Sequence, residues 1–252
     1  KKGGRYFYEH SDGEQDQDIL YVASDLDAEP RVLIDPATFS DDATIGLVRY
    51  EVSPDGRWIA FGLSDGGSDW TTMHVRNVDT GEDMDDVIDH IKFTNAAWAA
   101  DSKGFYYERY PLGEDGEADD RLQTKIWFHT LGTPQSEDQL IYEVTDHDTR
   151  NPNVQVTEDG RFLLLTESDN YFDNSLSYVD LNDPDRDVVR LFDDFDGRYE
   201  YLGNDGLVFY IKTTNDAPNG RVLAVDLDRP AREDWREIVP EQDMPIQAAS
   251  LG

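Results

Sequence analysis

Apolar and polar positions along this chain fall into short runs, and one arrangement of them returns about every fifty residues. An apolar run, an acidic or glycine turn, and a second apolar run rich in aromatics appear as Tyr50-Glu-Val-Ser-Pro-Asp-Gly-Arg-Trp-Ile-Ala-Phe61 and as Ala97-Trp-Ala-Ala-Asp-Ser-Lys-Gly-Phe-Tyr-Tyr107. The same phrase reads Val154-Gln-Val-Thr-Glu-Asp-Gly-Arg-Phe-Leu-Leu-Leu165 and Tyr199-Glu-Tyr-Leu-Gly-Asn-Asp-Gly-Leu-Val-Phe-Tyr210. Asp-Gly between runs of strand formers supplies the positive φ of a tight hairpin turn, so each phrase predicts a β-hairpin.

Two further apolar runs follow each hairpin. They are Ile19–Val22 with Arg31–Ile34, Thr72–Val75 with Met84–Ile88, and Ile126–His129 with Leu140–Tyr142. Leu176–Val179 with Val188–Phe192, and Val222–Val225 with Trp235–Val239, continue the series. Four strands per repeat with almost no 3.6-residue periodicity predict an all-β fold, a β-propeller of five four-stranded blades in a single domain, 1–252. The expected blades are 5–35 plus 246–251, 47–88, 94–144, 153–192 and 198–239. A β-sandwich is the alternative, but its strands have no reason to repeat a phrase at constant period. The first repeat opens on the second half of the phrase, at Arg5-Tyr-Phe-Tyr8, and Ile246–Leu251 resembles the missing half. That segment is therefore expected to pair with Arg5–His10 as the innermost strand of the first blade, closing the ring and hiding its edges.

Composition narrows the partners. Fifty-five acidic against 22 basic residues give a net charge of −33, which repels nucleic acid and anionic membranes, so neither is an expected partner and a monomer is expected. Adaptation to high salt explains such a surface, and engineered supercharging is the alternative. No apolar run is long enough for a membrane helix, the N-terminus does not read as a signal peptide, and there is no cysteine, which together fit a cytoplasmic protein.

The apparent site motifs carry little chemistry. Gly62-Leu-Ser-Asp-Gly66 has the spacing of a nucleophile elbow, but Ser64 ends one predicted strand and leads to another, where the elbow needs a strand-to-helix turn. Asp183-Pro-Asp-Arg-Asp187 begins like a calcium loop, yet Val188 stands where that loop needs glycine. His10, His74, His90, His129 and His147 lack metal-ligand spacing, and no glycine-rich phosphate loop is present, so no cofactor or metal is expected.

Several stretches resemble the propeller domain of prolyl oligopeptidases: Arg5-Tyr-Phe-Tyr8, Leu33-Ile-Asp-Pro36, Ser40-Asp-Asp42, Phe61-Gly-Leu-Ser64 and Gly67-Ser-Asp-Trp70. So do Lys92-Phe-Thr-Asn-Ala-Ala-Trp98, His129-Thr-Leu-Gly-Thr133 with Gln135-Ser-Glu-Asp138, and Val239-Pro-Glu241. The resemblance runs from end to end and covers about five of that family's seven blades. It implies a non-catalytic domain that gates substrate entry, partnered in the parent protein by an α/β-hydrolase domain with the Ser-Asp-His triad, for which this chain has no counterpart. The chain alone is then not an enzyme, and short proline-containing peptides are the implied ligands. Phe93 matches a family phenylalanine that lines the substrate pocket, with a core aromatic as the other reading. Asn151 and Asp169-Asn170 align where relatives place apolar or thiol side chains in that pocket. The alternative to the gating domain is a stand-alone or engineered propeller scaffold that binds a peptide or small ligand, or nothing, at its axial mouth.

Overall fold

The computed structural model describes residues 1–11, 13, 17–40, 44–168 and 172–250. Among these, the only helical elements are short 3₁₀ turns at Pro36–Thr38, Gln135–Glu137 and Arg232–Asp234, and none is long and apolar enough to cross a membrane. Two compact units divide the chain, Lys1–Val144 and Thr145–Gly252.

The first unit holds three antiparallel sheets whose strands follow one another in chain order. They are β1 (Tyr6–His10), β2 (Ile19–Ala23) and β3 (Arg31–Ile34); then β4 (Ile45–Val52), β5 (Trp58–Asp65), β6 (Thr71–Asn77) and β7 (Asp83–Ile91); then β8 (Ala97–Trp98), β9 (Gly104–Arg109), β10 (Lys125–Thr130) and β11 (Gln139–Tyr142). The second unit holds β12 (Asn151–Val156), β13 (Phe162–Ser168), β14 (Ser175–Asp180) and β15 (Val189–Phe192), followed by β16 (Tyr199–Asp205), β17 (Val208–Thr213), β18 (Arg221–Asp226) and β19 (Arg236–Val239).

Period-2 alternation decides which core each side chain joins. In β5, Ile59 and Phe61 pack with Leu20, Val22 and Ile34 of the first sheet. Ala60 between them points the other way, into a cluster of Val75, Ile88, Phe105 and Tyr107. Both faces of β5 are covered, which is why it reads as a continuous apolar run. The second unit repeats the device: Phe162 and Leu164 of β13 join Leu176, Phe209, Ile211 and Leu223. Leu163 and Leu165 are buried on the opposite face.

The repeated phrase forms the predicted hairpin; Asp205 pairs with Val208 across a two-residue turn, whereas at Asp55-Gly56 and Asp159-Gly160 the Asp-Gly ends a longer turn. Gly56 donates its N–H to Ser53 O at 2.9 Å and takes φ 72°, and Ser53 N closes the loop on Trp58 O at 2.9 Å. The Asp55 carboxylate accepts from Ser53 Oγ at 2.7 Å and from Arg57 N at 3.0 Å. Thr157-Glu-Asp-Gly160 repeats this set, with Asp159 accepting from Thr157 Oγ1 at 2.6 Å and from Arg161 N at 3.1 Å. In the Ala97–Tyr107 phrase Ser102 stands at the glycine position with φ 58°.

The segment expected to close the first blade, Ile246–Leu251, takes no strand among its described residues. Among the described residues the first sheet has three strands, β1 pairs only with β2, and residues 245–250 are not a strand; Leu251 lies outside the described residues. The chain before that point is held instead by the β17–β18 connection. Asn219 O accepts from Ile246 N at 2.8 Å, Asn219 N donates to Glu241 Oε1 at 2.7 Å, and Lys212 Nζ reaches Gln247 O at 3.4 Å.

Candidate functional site

The connection from β7 to β8 carries the most unusual backbone in the first unit. Opposite β6, Thr71 pairs with Ile91 and Met73 with Ile88, so Asp89 and His90 bulge out of the ladder. His90 takes φ 63° and, three residues on, Phe93 takes φ 56°. A bulky residue in the left-handed region is costly and persists only where its surroundings hold it. Phe93 is 60% exposed. The reading of it as a core aromatic is therefore overturned, because its strained backbone turns the ring away from the Trp98, Phe105 and Tyr107 cluster.

Both neighbours of Phe93 are fixed. Lys92 Nζ lies 4.1 Å from the Trp70 ring centroid and pairs with Asp120 at 2.6 Å, and Trp70 meets Tyr110 edge-on at 5.5 Å. Thr94 is buried and donates its hydroxyl to the buried Glu108 carboxylate, while Glu108 N donates back to Thr94 Oγ1 at 2.9 Å. Beside this connection lie a cavity of about 700 Å³, bordered by Leu63, Trp70, His74 and His90, and a cleft of about 450 Å³, bordered by His90, Tyr110, Leu112 and Trp127. Phe93 lines neither and stands at the surface.

Sequence reading missed a second constellation. His129 in β10 is fully buried between two carboxylates: Nε2 donates to Asp86 of β7 at 2.9 Å and Nδ1 to Asp138 at 2.7 Å. Tyr107 of β9 donates its hydroxyl to Asp138 Oδ2 at 2.5 Å, Gln135 donates to Tyr107 at 3.2 Å, and Gly132 N donates to Asp86 at 2.7 Å. Burial lowers the imidazole pKa, but the two carboxylates outweigh it and push it up to about 9. With both ring nitrogens donating, the ring is an imidazolium that ties the second sheet to the third. His129, Gly132, Gln135 and Asp138 all belong to the stretch singled out as family-like, which gives that stretch a structural meaning. Asp86, 43 residues away, carried no signal.

The remaining motif residues fall where their chemistry is idle. Ser64 lies in β5 ahead of a turn into β6 and donates its hydroxyl to Ser68 O at 2.5 Å. Asp183–Asp187 is an exposed turn in which Asp183 accepts from Asp185 N at 3.0 Å. Among the described residues no group of three or more metal-ligating side chains is assembled. Asn151 opens β12 opposite Ser168, whereas Asp42 and Asp169-Asn170 lie outside the described residues.

Residues 1–250 match the family described as Prolyl oligopeptidase, N-terminal beta-propeller domain. The prolyl endopeptidase of Elizabethkingia meningoseptica is 30% identical over 254 residues, which cover 100% of this chain and 36% of that protein. Prolyl oligopeptidase A of Galerina marginata is 31% identical over 271 residues, covering 95% and 36%. A solved prolyl endopeptidase, studied for the role of inter-domain dynamics in catalysis and specificity, matches with a TM-score of 0.89 and 33% identity over 96% of this chain and 36% of that one. Prolyl oligopeptidase B of Galerina marginata, bound to a 35mer hydrolysis and macrocyclization substrate, matches with a TM-score of 0.84 and 27% identity over 95% and 36%. The chain thus spans about 36% of the length of these relatives.

Proposed function

Because the chain belongs to the prolyl oligopeptidase family, matching its N-terminal β-propeller domain, we propose that it is the non-catalytic, substrate-gating part of a serine peptidase and that Phe93 meets the peptide. The observation that carries this reading is an aromatic ring 60% exposed on a left-handed backbone. A fold that needed Phe93 only for packing would bury it; holding it outward against strain is the behaviour of a contact residue. A hydrolase domain supplied elsewhere in the parent protein would close over this face, and the chain itself contributes orientation and exclusion of large substrates.

Chemistry is not assigned to the chain. Acyl transfer needs a nucleophile whose proton a base can take. The Ser64 proton is spent on Ser68 O, and both nitrogens of the buried His129 are spent on carboxylates. We place the domain as a monomer in a salt-rich cytoplasm, on the support of its net charge of −33.

The test is Phe93→Ala in the parent protein carrying the peptidase domain. The expected outcome is a KM for proline-containing peptides raised several-fold with kcat nearly unchanged, the pattern of a lost binding contact. An unchanged KM would refute a peptide contact at Phe93. The chain alone is expected to leave proline-containing peptides intact and to resist serine-directed phosphonates; stoichiometric labelling at Ser64 would overturn the non-catalytic assignment.

A further inference from the structure

We propose that Lys92, Thr94 and Glu108 are positioning residues that clamp the chain on both sides of Phe93 and hold its ring outward; this rests on the reading of Phe93 as a peptide contact.

On one side, Lys92 is nearly buried, its side chain 12% exposed although lysine is ordinarily the most solvated of residues. Its ammonium sits over the Trp70 face at 4.1 Å and against Asp120 at 2.6 Å, so two independent attractions fix one end of the segment. On the other side, Thr94 continues the β8–β9 ladder by side chain instead of backbone. Trp98 pairs with Phe105 and Ala97 with Tyr106; beyond them the Thr94 hydroxyl donates to the Glu108 carboxylate and accepts from Glu108 N. Glu108 is 6% exposed and Thr94 4%, and in that dry setting a charge-assisted pair is strong and short. Between two anchors only one residue long, Phe93 has no freedom to relax from φ 56° to an ordinary value.

A single clamp gives one signature: losing either anchor frees the ring and weakens peptide binding, but only while the ring is there. Label the chain with 4-fluorophenylalanine, identify the Phe93 resonance as the one lost in Phe93→Leu, and titrate short proline-containing peptides in parallel. Thr94→Val keeps the side-chain volume and removes the hydroxyl; Lys92→Met keeps the stem and removes the ammonium; Glu108→Gln keeps an acceptor for Thr94. Thr94→Val and Lys92→Met are each expected to shift and sharpen the Phe93 signal toward that of a mobile ring, and to weaken peptide binding by no more than the several-fold loss expected of Phe93→Ala. Glu108→Gln, which keeps an acceptor but loses the charge, is expected to change both properties less than Thr94→Val does, and neither Thr94→Val nor Lys92→Met should weaken binding further in a Phe93→Ala background. Because Lys92→Met keeps the packed stem and removes only the ammonium, Lys92→Met decides the matter even where Thr94→Val fails to fold. A Phe93 signal unchanged in Lys92→Met overturns the clamp, as does full additivity with Phe93→Ala. Unchanged peptide affinity in Phe93→Ala instead overturns the peptide reading, and the fluorine signal then judges the clamp alone.

Discussion

Two residues set the terms at the smallest scale, and each runs against its ordinary preference. Phe93 accepts a conformation that suits glycine, so Phe93→Gly is expected to be more stable than Phe93→Ala by about 1 kcal/mol, because both delete the ring and only glycine escapes the left-handed penalty. Urea midpoints of the two variants check this, and equal stabilities would remove the strain from the account. His129 is charged where burial alone would neutralise it. Its folded pKa of about 9 lies above the roughly 6.5 of an unfolded histidine, so its contribution is complete below about pH 6.5 and is lost as pH rises through about 9. The size is on the order of 3 kcal/mol. The urea midpoint is expected to fall between pH 6.5 and 9.5, and the fall should flatten in His129→Gln; an equal alkaline fall in that variant would place the titration elsewhere. The sequence pointed to Phe93 through its motif but not to its exposure, nor to the bulge at Asp89 and His90 that precedes it and that no propensity marks. It could not show the His129 pair at all, since Asp86 and Asp138 meet the ring only through folding.

Among elements, the hairpin turns were the most legible feature, because their chemistry is local. Asp159 gathers the Thr157 hydroxyl, Arg161 N and the Asn204 amide at 2.8 Å. Burial tends to raise its pKa, but these hydrogen bonds and the Arg161 charge outweigh it and hold the carboxyl below its usual value. A depressed pKa contributes stability above about pH 4, the unfolded value, and loses it as pH falls through the folded one. Asp159→Ala is therefore expected to cost roughly 1 kcal/mol at pH 7, discounted for exposure. The gap to the parent chain should narrow below about pH 4. A gap that stays constant with pH would mean that the loss is one of turn conformation, not of charge. The closing strand was less legible for a physical reason. Small residues such as Ala248 and Ala249 match an inner strand by pattern, but a strand needs a ladder partner. The chain just before them is tied to Asn219 and Lys212 instead.

At the scale of the whole molecule, charge outweighs any local pairing. If each of the 22 basic residues met an acidic partner, 55 − 22 = 33 carboxylates would still be uncompensated. Many of the observed pairs are exposed, such as Arg190 with Asp146 and Arg232 with Asp194, and exposed pairs contribute at most about 1 kcal/mol each. Salt screens both terms, but it acts on few attractions and many repulsions, so their difference favours the folded state. The Debye length falls from roughly 10 Å at 0.1 M to about 3 Å at 1 M, shorter than the spacing of most surface carboxylates that do not touch, while the buried His129 pair is screened far less. The melting temperature is therefore expected to rise between low and molar sodium chloride, and most steeply at the low end, where screening changes fastest. Chloride is the appropriate anion, because sulfate would also strengthen apolar burial and raise the melting temperature whatever the surface charge. A melting temperature that is flat or falls in sodium chloride would show that the acidic surface does not destabilise the fold, and would leave solubility as the physical reason for it.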